Sequence, residues 1–380
     1  MNAALGRLAQ SRWPALLAFL IALAAAAPWL RPLPATHFVP PAPLADLPLR
    51  GSAEARTQML PNPAATAHSV TLTELGSGRI GAAWFAGSRE GAADVAIYFA
   101  RFDGTVWSEA QAIVQREQVQ RDSGRRVRKL GNPVLWRDPA GALHLWFVSV
   151  GFGGWAGSAI NHSVSIDDGV RWSPSQRLIA SPFWNLSTLV RSPPVALADG
   201  DLALPVYHEF IAKRPEWLRL DAAGRPADKQ RLPGAERSLQ PAPAVLDSRR
   251  ALLLLRDASP LHRIRASATD DGGQSWSPAR AIELPNPGAG IALLRLHDGR
   301  LLLAYNPQEN NRTRLALALS GDVGETWSSP RLIEQGEDED EFSYPALLQE
   351  GNGTIHLAYT WQRKQIKHLA FPPDWLGGIH

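Results

Sequence analysis

This sequence predicts an all-β chain folded as a six-bladed β-propeller, and three observations carry that prediction. A turn motif, Ser/Thr-x-Asp-x-Gly-x-x-Trp, recurs at Ser165–Trp172, Thr269–Trp276 and Ser320–Trp327. Runs of strand-forming residues fill the gaps between its copies in groups. Glycine and proline, 31 of each among 380 residues, supply turns between the runs, and 14 tryptophans supply large packing surfaces. Self-similarity at a step near 50 residues marks a repeat architecture, and four-stranded units arranged radially make a propeller.

In chain order, the first element is an apolar run. Arg7 and Arg12 precede Pro14–Leu30. Such a run, about 17 residues, sits at the lower edge of what spans a bilayer. Basic residues ahead of it put the bulk of the chain on the non-cytoplasmic side, and Ala24–Ala27 offers small residues for cleavage. Residues 1–30 therefore read as a transmembrane signal anchor or a removed signal peptide. The body is then periplasmic or extracellular, either membrane-anchored or secreted. Residues 31–54 are proline-rich and read as a stiff linker. Residues 55–375 are left for the propeller.

Within that body the step from Asp167 to Asp271 is about twice that from Asp271 to Asp322. A degenerate copy is therefore expected between the first two, and Asp221-Ala-Ala-Gly224 occupies its place. A truncated copy, Asp103–Trp107, comes before the first. At such a turn Asp accepts backbone N–H bonds, Gly supplies positive φ and Trp packs beneath the hairpin, so the motif reads as structural. Strand runs begin with Arg79–Ala86 and Asp94–Arg101, continue through Gly131–Arg137, Ala142–Val150 and Ser158–Ser165, and end with Tyr344–Gln349, Thr354–Tyr359 and Ile366–Phe371. The first blade is expected to take a strand from the other terminus to close the ring, and Ile113–Leu130 to form a polar loop on one face.

Composition narrows the chemistry. With no cysteine, thiolate zinc sites, iron–sulfur clusters, disulfides and Cys nucleophiles are excluded. A net charge of +3, with no basic block beyond Arg125, Arg126, Arg128 and Lys129, argues against a nucleic-acid partner. No metal or cofactor is expected.

The motif repeats in six units resemble the sialidase (neuraminidase) superfamily. Between about His68 and His368 the chain resembles bacterial BNR-repeat, sialidase-like proteins through Ala82–Gly91, Asn132-Pro133-Val134, Leu284–Pro287, Phe342–Ala346 and Ile366-Lys367-His368. The resemblance implies the sialidase fold and an exported glycoside hydrolase of exo-alpha-sialidase type with an acidic glycan as substrate. It also implies an arginine clamp for the sugar carboxylate, because a planar guanidinium matches a carboxylate bidentately, and a Tyr nucleophile in place of the usual carboxylate. Arg256 and Arg312 fall at the second and third clamp positions. The first reads His68-Ser69-Val70. The nucleophile position aligns with Phe342, with Tyr344 two residues on, and its glutamate partner aligns with Gln240. The catalytic set read this way is Tyr344, Glu90 and His68, and the substrate-binding set is Arg89, Arg256 and Arg312. Two alternatives stay open: a lyase acting on uronate glycans, with a neutral His or Tyr as base, and a non-catalytic glycan-binding propeller. His208-Glu209 forms a further candidate pair. Glu337–Glu341 reads as a solvated acidic loop, and Trp155, Trp184 and Trp217 as loop aromatics able to stack on sugars or to serve as core.

Overall fold

The computed structural model describes residues 12–26, 34–40, 54–181 and 185–377. Six sheets stand around an axis. Blade 1 is β2 (Thr66–Gly76), β3 (Arg79–Gly87), β4 (Ala96–Phe102) and β5 (Gln111–Val114). Blade 2 is β6 (Lys129–Arg137), β7 (Leu143–Val150), β8 (Ser158–Ser165) and β9 (Gln176–Arg177). Blade 3 has a broken inner strand, β10 (Leu189–Val190) and β11 (Val195–Ala196), followed by β12 (Leu202–His208), β13 (Arg214–Leu220) and β14 (Pro226–Arg231). Blade 4 is β15 (Ser238–Val245), β16 (Ala251–Asp257), β17 (Arg263–Thr269) and β18 (Arg280–Pro285); blade 5 is β19 (Ala292–Arg295), β20 (Leu301–Tyr305), β21 (Arg314–Ser320) and β22 (Arg331–Gln335). Blade 6 is β23 (Phe342–Gln349), β24 (Ile355–Trp361) and β25 (Gln365–Phe371), with β1 (Arg56–Met59) as its outer strand.

Each blade is an antiparallel meander from axis to rim. The starts of the inner strands and the hairpins between second and third strands therefore share one face. The hairpins between third and fourth strands share the other. Second strands are continuous apolar runs, such as Ala251–Leu255, because neighbouring blades cover both their faces. Cores form between blades: Leu75, Phe85 and Phe99 of blade 1 meet Leu135 and Phe147 of blade 2.

The repeated motif is a turn staple on the face away from the inner-strand starts. Asp167, Asp271 and Asp322 each accept a bond from the Ser or Thr hydroxyl two residues back, at 2.8–2.9 Å, and from a backbone N–H four residues on, at 2.8–3.0 Å. The same hydroxyl accepts the N–H of Gly169, Gly273 or Gly324. Trp172 and Trp327 donate indole N–H bonds to Gly169 and Gly324 carbonyls. Asp103 and Asp221 of the imperfect copies also accept nearby backbone N–H groups.

Three expectations are corrected. The blade that takes a strand from the other terminus is the last, not the first: Arg56 to Met59 pair with Ala370 to Lys367, while blade 1 already has four strands of its own. Ile113–Leu130 is not a loop. It holds the end of β5, the start of β6 and, between them, a helix (Arg116–Ser123) that buries Val119 and ends on left-handed Gly124. At the N-terminus, α1 (Arg12–Ala26) has 15 residues, about 22 Å at the usual rise, against about 30 Å of bilayer hydrocarbon. No helix among the described residues is long and apolar enough to cross a membrane, so the transmembrane anchor, and with it a membrane partner at this segment, is not supported.

Most of the linker, residues 31–33 and 41–53, lies outside the described residues. Residues 34–40 are packed between blades 3 and 4. Phe38 donates to the Ser248 carbonyl, Val39 to Ala196, and Ala198 to His37, at 2.8–2.9 Å. The Phe38 ring is 1% exposed and meets Trp217 edge-on. Gly272 makes this approach possible: at φ +80° a Cβ would lie 2.2 Å from the Thr36 carbonyl oxygen.

Candidate functional site

Four inner strands break register at the same height. The shifts fall between His68 and Thr71, Gly131 and Val134, Leu239 and Ala242, and Ser343 and Ala346. Each contains a left-handed residue that is not glycine: Ser69, Asn132, Gln240 and Tyr344, with φ between 46° and 56°. Such positions cost on the order of 1 kcal/mol or more each and persist where the surroundings hold them. A bulge re-aims side chains. Here the bulges gather polar groups at the axis on the face where the inner strands begin.

Tyr344 is half-buried at the centre of this cluster. The Arg191 and Arg312 guanidinium carbons each lie 5.7 Å from its ring centroid, and the His68 ring meets it edge-on at 6.2 Å. His68 is 2% exposed and stacks on Phe85. Burial lowers its pKa, against the pull of Glu90, so the imidazole is neutral. Arg363 Nε donates to His68 Nε2 at 3.3 Å, which places the ring proton on Nδ1, where it has no partner among the described residues. Arg363 also donates to Glu90 at 2.6 Å and faces Glu341 at 3.5 Å. Arg312 donates to Glu341 at 3.2 Å and to the Gly288 carbonyl at 3.1 Å. Burial pushes the Glu341 carboxyl up, but the Ser343 hydroxyl at 2.6 Å, Arg312 and Arg363 outweigh it and hold the group below its ordinary value.

A second polar chain runs through blades 2 to 4. Asn132 and Gln240 both donate to the Tyr207 hydroxyl, at 2.9 and 3.3 Å, and Arg256 donates to the Gln240 carbonyl oxygen at 3.2 Å. Glu209, in the hairpin after β12 as Glu90 is in the hairpin after β3, has its pKa raised by burial against Arg256, Lys213 and Lys129. Farther along the inner strands the channel opens into a cavity of about 480 Å³ lined by residues such as Trp136, Arg191, Ile291 and Leu347.

Five of the six residues named from sequence, His68, Glu90, Arg256, Arg312 and Tyr344, therefore border one end of the axis. Arg89 stays exposed, in a turn closed by Ser88 donating to Asp94, outside the contacts that hold the cluster. Phe342 points into the core at 3% exposure, with Leu357 and Phe371. Gln240 donates to Tyr207 and accepts from Arg256, and an amide is no base. Sequence reasoning missed Arg191 and Arg363. It read Glu341 as part of a solvated loop and placed Trp217 in a loop; Trp217 lies on β13, in the core role that reading also allowed it. Trp155 covers Lys129 at 4.0 Å and fills the space a Gly131 side chain would need; Trp184 lies outside the described residues. The available signal was positional: Arg363 sits in the same hairpin of blade 6 as Glu90 in blade 1, and Arg191 stands at the break of the blade 3 inner strand.

Arg191 is the least compensated of these groups. It is 5% exposed, its pKa is pushed down to about 10 by burial, and no carboxylate pairs with it among the described residues. Nη2 donates to the Pro345 carbonyl at 2.9 Å, and Nε has no partner among the described residues.

The BNR repeat-like domain matches residues 78–357. No curated protein matches by sequence. Among solved structures, a Hadza microbial sialidase superposes with a TM-score of 0.70 at 17% identity, covering 83% of this chain and 67% of its own. The intramolecular trans-sialidase from Ruminococcus gnavus gives 0.65 at 16% identity, over 84% and 98%. A protein of unknown function from Dyadobacter fermentans gives 0.66 at 13% identity, over 83% and 98%. Likeness at such identities establishes the fold.

Proposed function

The chain belongs to the BNR repeat-like family, on the six-bladed frame of the sialidase-like superfamily, and from that premise we propose that it is a glycoside hydrolase of sialidase type acting on an acidic glycan. The observation that carries the reading is Tyr344 between Arg191 and Arg312 at the mouth of the axis. In this reading Arg191, Arg256 and Arg312 receive the sugar carboxylate. Each bidentate contact is worth on the order of 1.5–3 kcal/mol, or roughly 10- to 150-fold in affinity. In this reading Tyr344 passes its phenol proton to Glu90 or His68 and attacks the anomeric carbon as the glycosidic bond breaks; the departing oxygen takes a proton back from the same groups, and water then displaces Tyr344 to free the acidic sugar. The apolar run ahead of the propeller supports export with the propeller outside the cytoplasm, tested by sequencing the mature N-terminus from culture supernatant and periplasm.

One observation favours an eliminating route. The place of the nucleophile's glutamate partner is Gln240, which cannot take a proton, while a neutral His68 stands edge-on to Tyr344. A lyase would use His68 or Tyr344 to remove the proton beside a uronate carboxylate held by the arginines. Incubation with sialylated and uronate-containing glycans separates the two: hydrolysis releases a free acidic sugar, whereas elimination creates absorbance near 235 nm. Neither product from any acidic glycan, with binding intact, would leave only the non-catalytic reading.

A further inference from the structure

The face that carries the pocket is divided chemically. Blades 2, 3 and 4 each bear an exposed apolar side chain in the hairpin between second and third strands: Phe152 at 55%, Phe210 at 46% with Ile211 at 87%, and Leu261 at 60%. Three adjacent blades repeating this at one loop position is more than the scatter of single exposed apolar residues normal to any surface. On the opposite face the exposed Val106, Ile166 with Val170, and Val323 lie in turns of blades 1, 2 and 5, of which only blades 1 and 2 are adjacent.

Exposed cations accompany the apolar tips. Beside the apolar tips, Arg125, Arg126 and Arg128 are exposed on the segment leading into blade 2, and Arg128 donates to the Val150 carbonyl next to the Phe152 hairpin. Lys213 and Arg237 are exposed beside Phe210 and Ile211, where Arg237 donates to the Lys213 carbonyl. Across the axis, the loop into blade 6 exposes Glu337, Asp338 and Glu339, while the hairpins of blades 6 and 1 expose Arg363, Lys364 and Arg89. Apolar tips among cations form the pattern that partitions into an anionic lipid interface.

We propose that the hairpins of blades 2–4 dock on an anionic lipid surface through Phe152, Phe210, Ile211 and Leu261, with Arg125, Arg126 and Arg128 facing the headgroups. In that pose the mouth of the axis opens toward the bilayer. The substrate class implied is an acidic glycan carried on lipid, a step that rests on the function proposed above.

The test uses the full chain and reads the loop tip itself, because α1 is exposed and apolar and can partition on its own. The absence of cysteine allows one environment-sensitive dye to be placed at Ile211→Cys and, as a control on the other face, at Val323→Cys. Vesicles of phosphatidylcholine with about 30% phosphatidylglycerol should blue-shift and brighten the Ile211 dye and leave the Val323 dye unchanged. Pure phosphatidylcholine should give far less response. Phe152→Ser with Phe210→Ser should weaken the response about tenfold or more, and each of Arg125→Glu, Arg126→Glu and Arg128→Glu roughly fivefold or more. A silent Ile211 dye, equal responses on both faces, or equal responses to neutral and anionic vesicles would overturn the docking surface. The substrate step is read separately. The double serine variant should lose turnover of a vesicle-borne acidic glycan and keep turnover of the soluble one; equal effects on both would overturn that step alone.

Discussion

Tyr344 and Arg191 hold the site's chemistry in opposite ways. Tyr344 carries the phenol hydroxyl that the proposed hydrolysis needs as its nucleophile, so if that route holds Tyr344→Phe should lower turnover by two orders of magnitude or more while affinity for an acidic glycan stays within about twofold. Calorimetric binding beside an activity assay checks this, and equal loss of both would remove Tyr344 from the chemistry. Arg191 is a buried cation with no carboxylate partner among the described residues, a state that costs stability unless an anion arrives. Arg191→Met should therefore leave urea stability unchanged or improved, and weaken binding of the acidic sugar roughly 10- to 150-fold. A strongly destabilised variant would instead mark Arg191 as a strut. This residue was hard to read in the sequence because its significance comes from what fails to surround it. Arg256 and Arg312 were legible because they close apolar strands or precede a motif copy at a repeated place.

At the scale of elements, the turn staples were almost fully legible. A short side chain, an acceptor, a glycine and an indole act within eight residues, and local geometry alone fixes their roles. The bulges were not. Ser69, Asn132, Gln240 and Tyr344 share no residue type, and their left-handed turn is imposed by the meeting of neighbouring blades at the axis. The packed segment 34–40 was equally hidden, since nothing in a proline-rich stretch says which groove will accept its one phenylalanine. Its seat gives a sharp test. Gly272→Ala would place a Cβ against the Thr36 carbonyl and strain a left-handed position, so it should cost about 2 kcal/mol or more, read by urea denaturation. Gly321→Ala, in open space in the equivalent turn of blade 5, should cost well under half of that.

At the scale of the molecule, the number of blades followed from the step of the repeat, but the choice of the closing strand did not. Four residues of β1 carry too little pattern to be seen, and the seal is strengthened by Leu60, 1% exposed between blades 6 and 1 and donating to the Ile366 carbonyl. Leu60→Ala should cost about 2–5 kcal/mol. Acid should also loosen the ring. Burial lowers the pKa of His162 to about 4 and of His368 to about 3, each with a neighbouring histidine adding to the shift. The unfolded chain takes up these protons near pH 6.5 and the folded chain does not. Their contribution is thus complete above about pH 6.5 and is lost as pH falls toward 4 and then 3, by up to about 1.4 kcal/mol per pH unit for each imidazole. Chemical denaturation at pH 7.5, 5.5 and 4.5 should give steadily falling midpoints. A flat profile would mean the imidazoles are already charged in the fold.

The pairing of Arg56 with Ala370 also has a meaning in time. Among the described strands, the one that seals the ring is made first and its partner last. At ordinary rates of synthesis it waits roughly 15–60 seconds for that partner. During the wait five blades can form and stack as an open arc with two raw edges, while the ring itself cannot exist. A chain pausing in that state would be recognised by its unsealed ends rather than by any unfolded blade, and the pairing of β1 with β25, not the making of any single sheet, becomes the event that closes the ring.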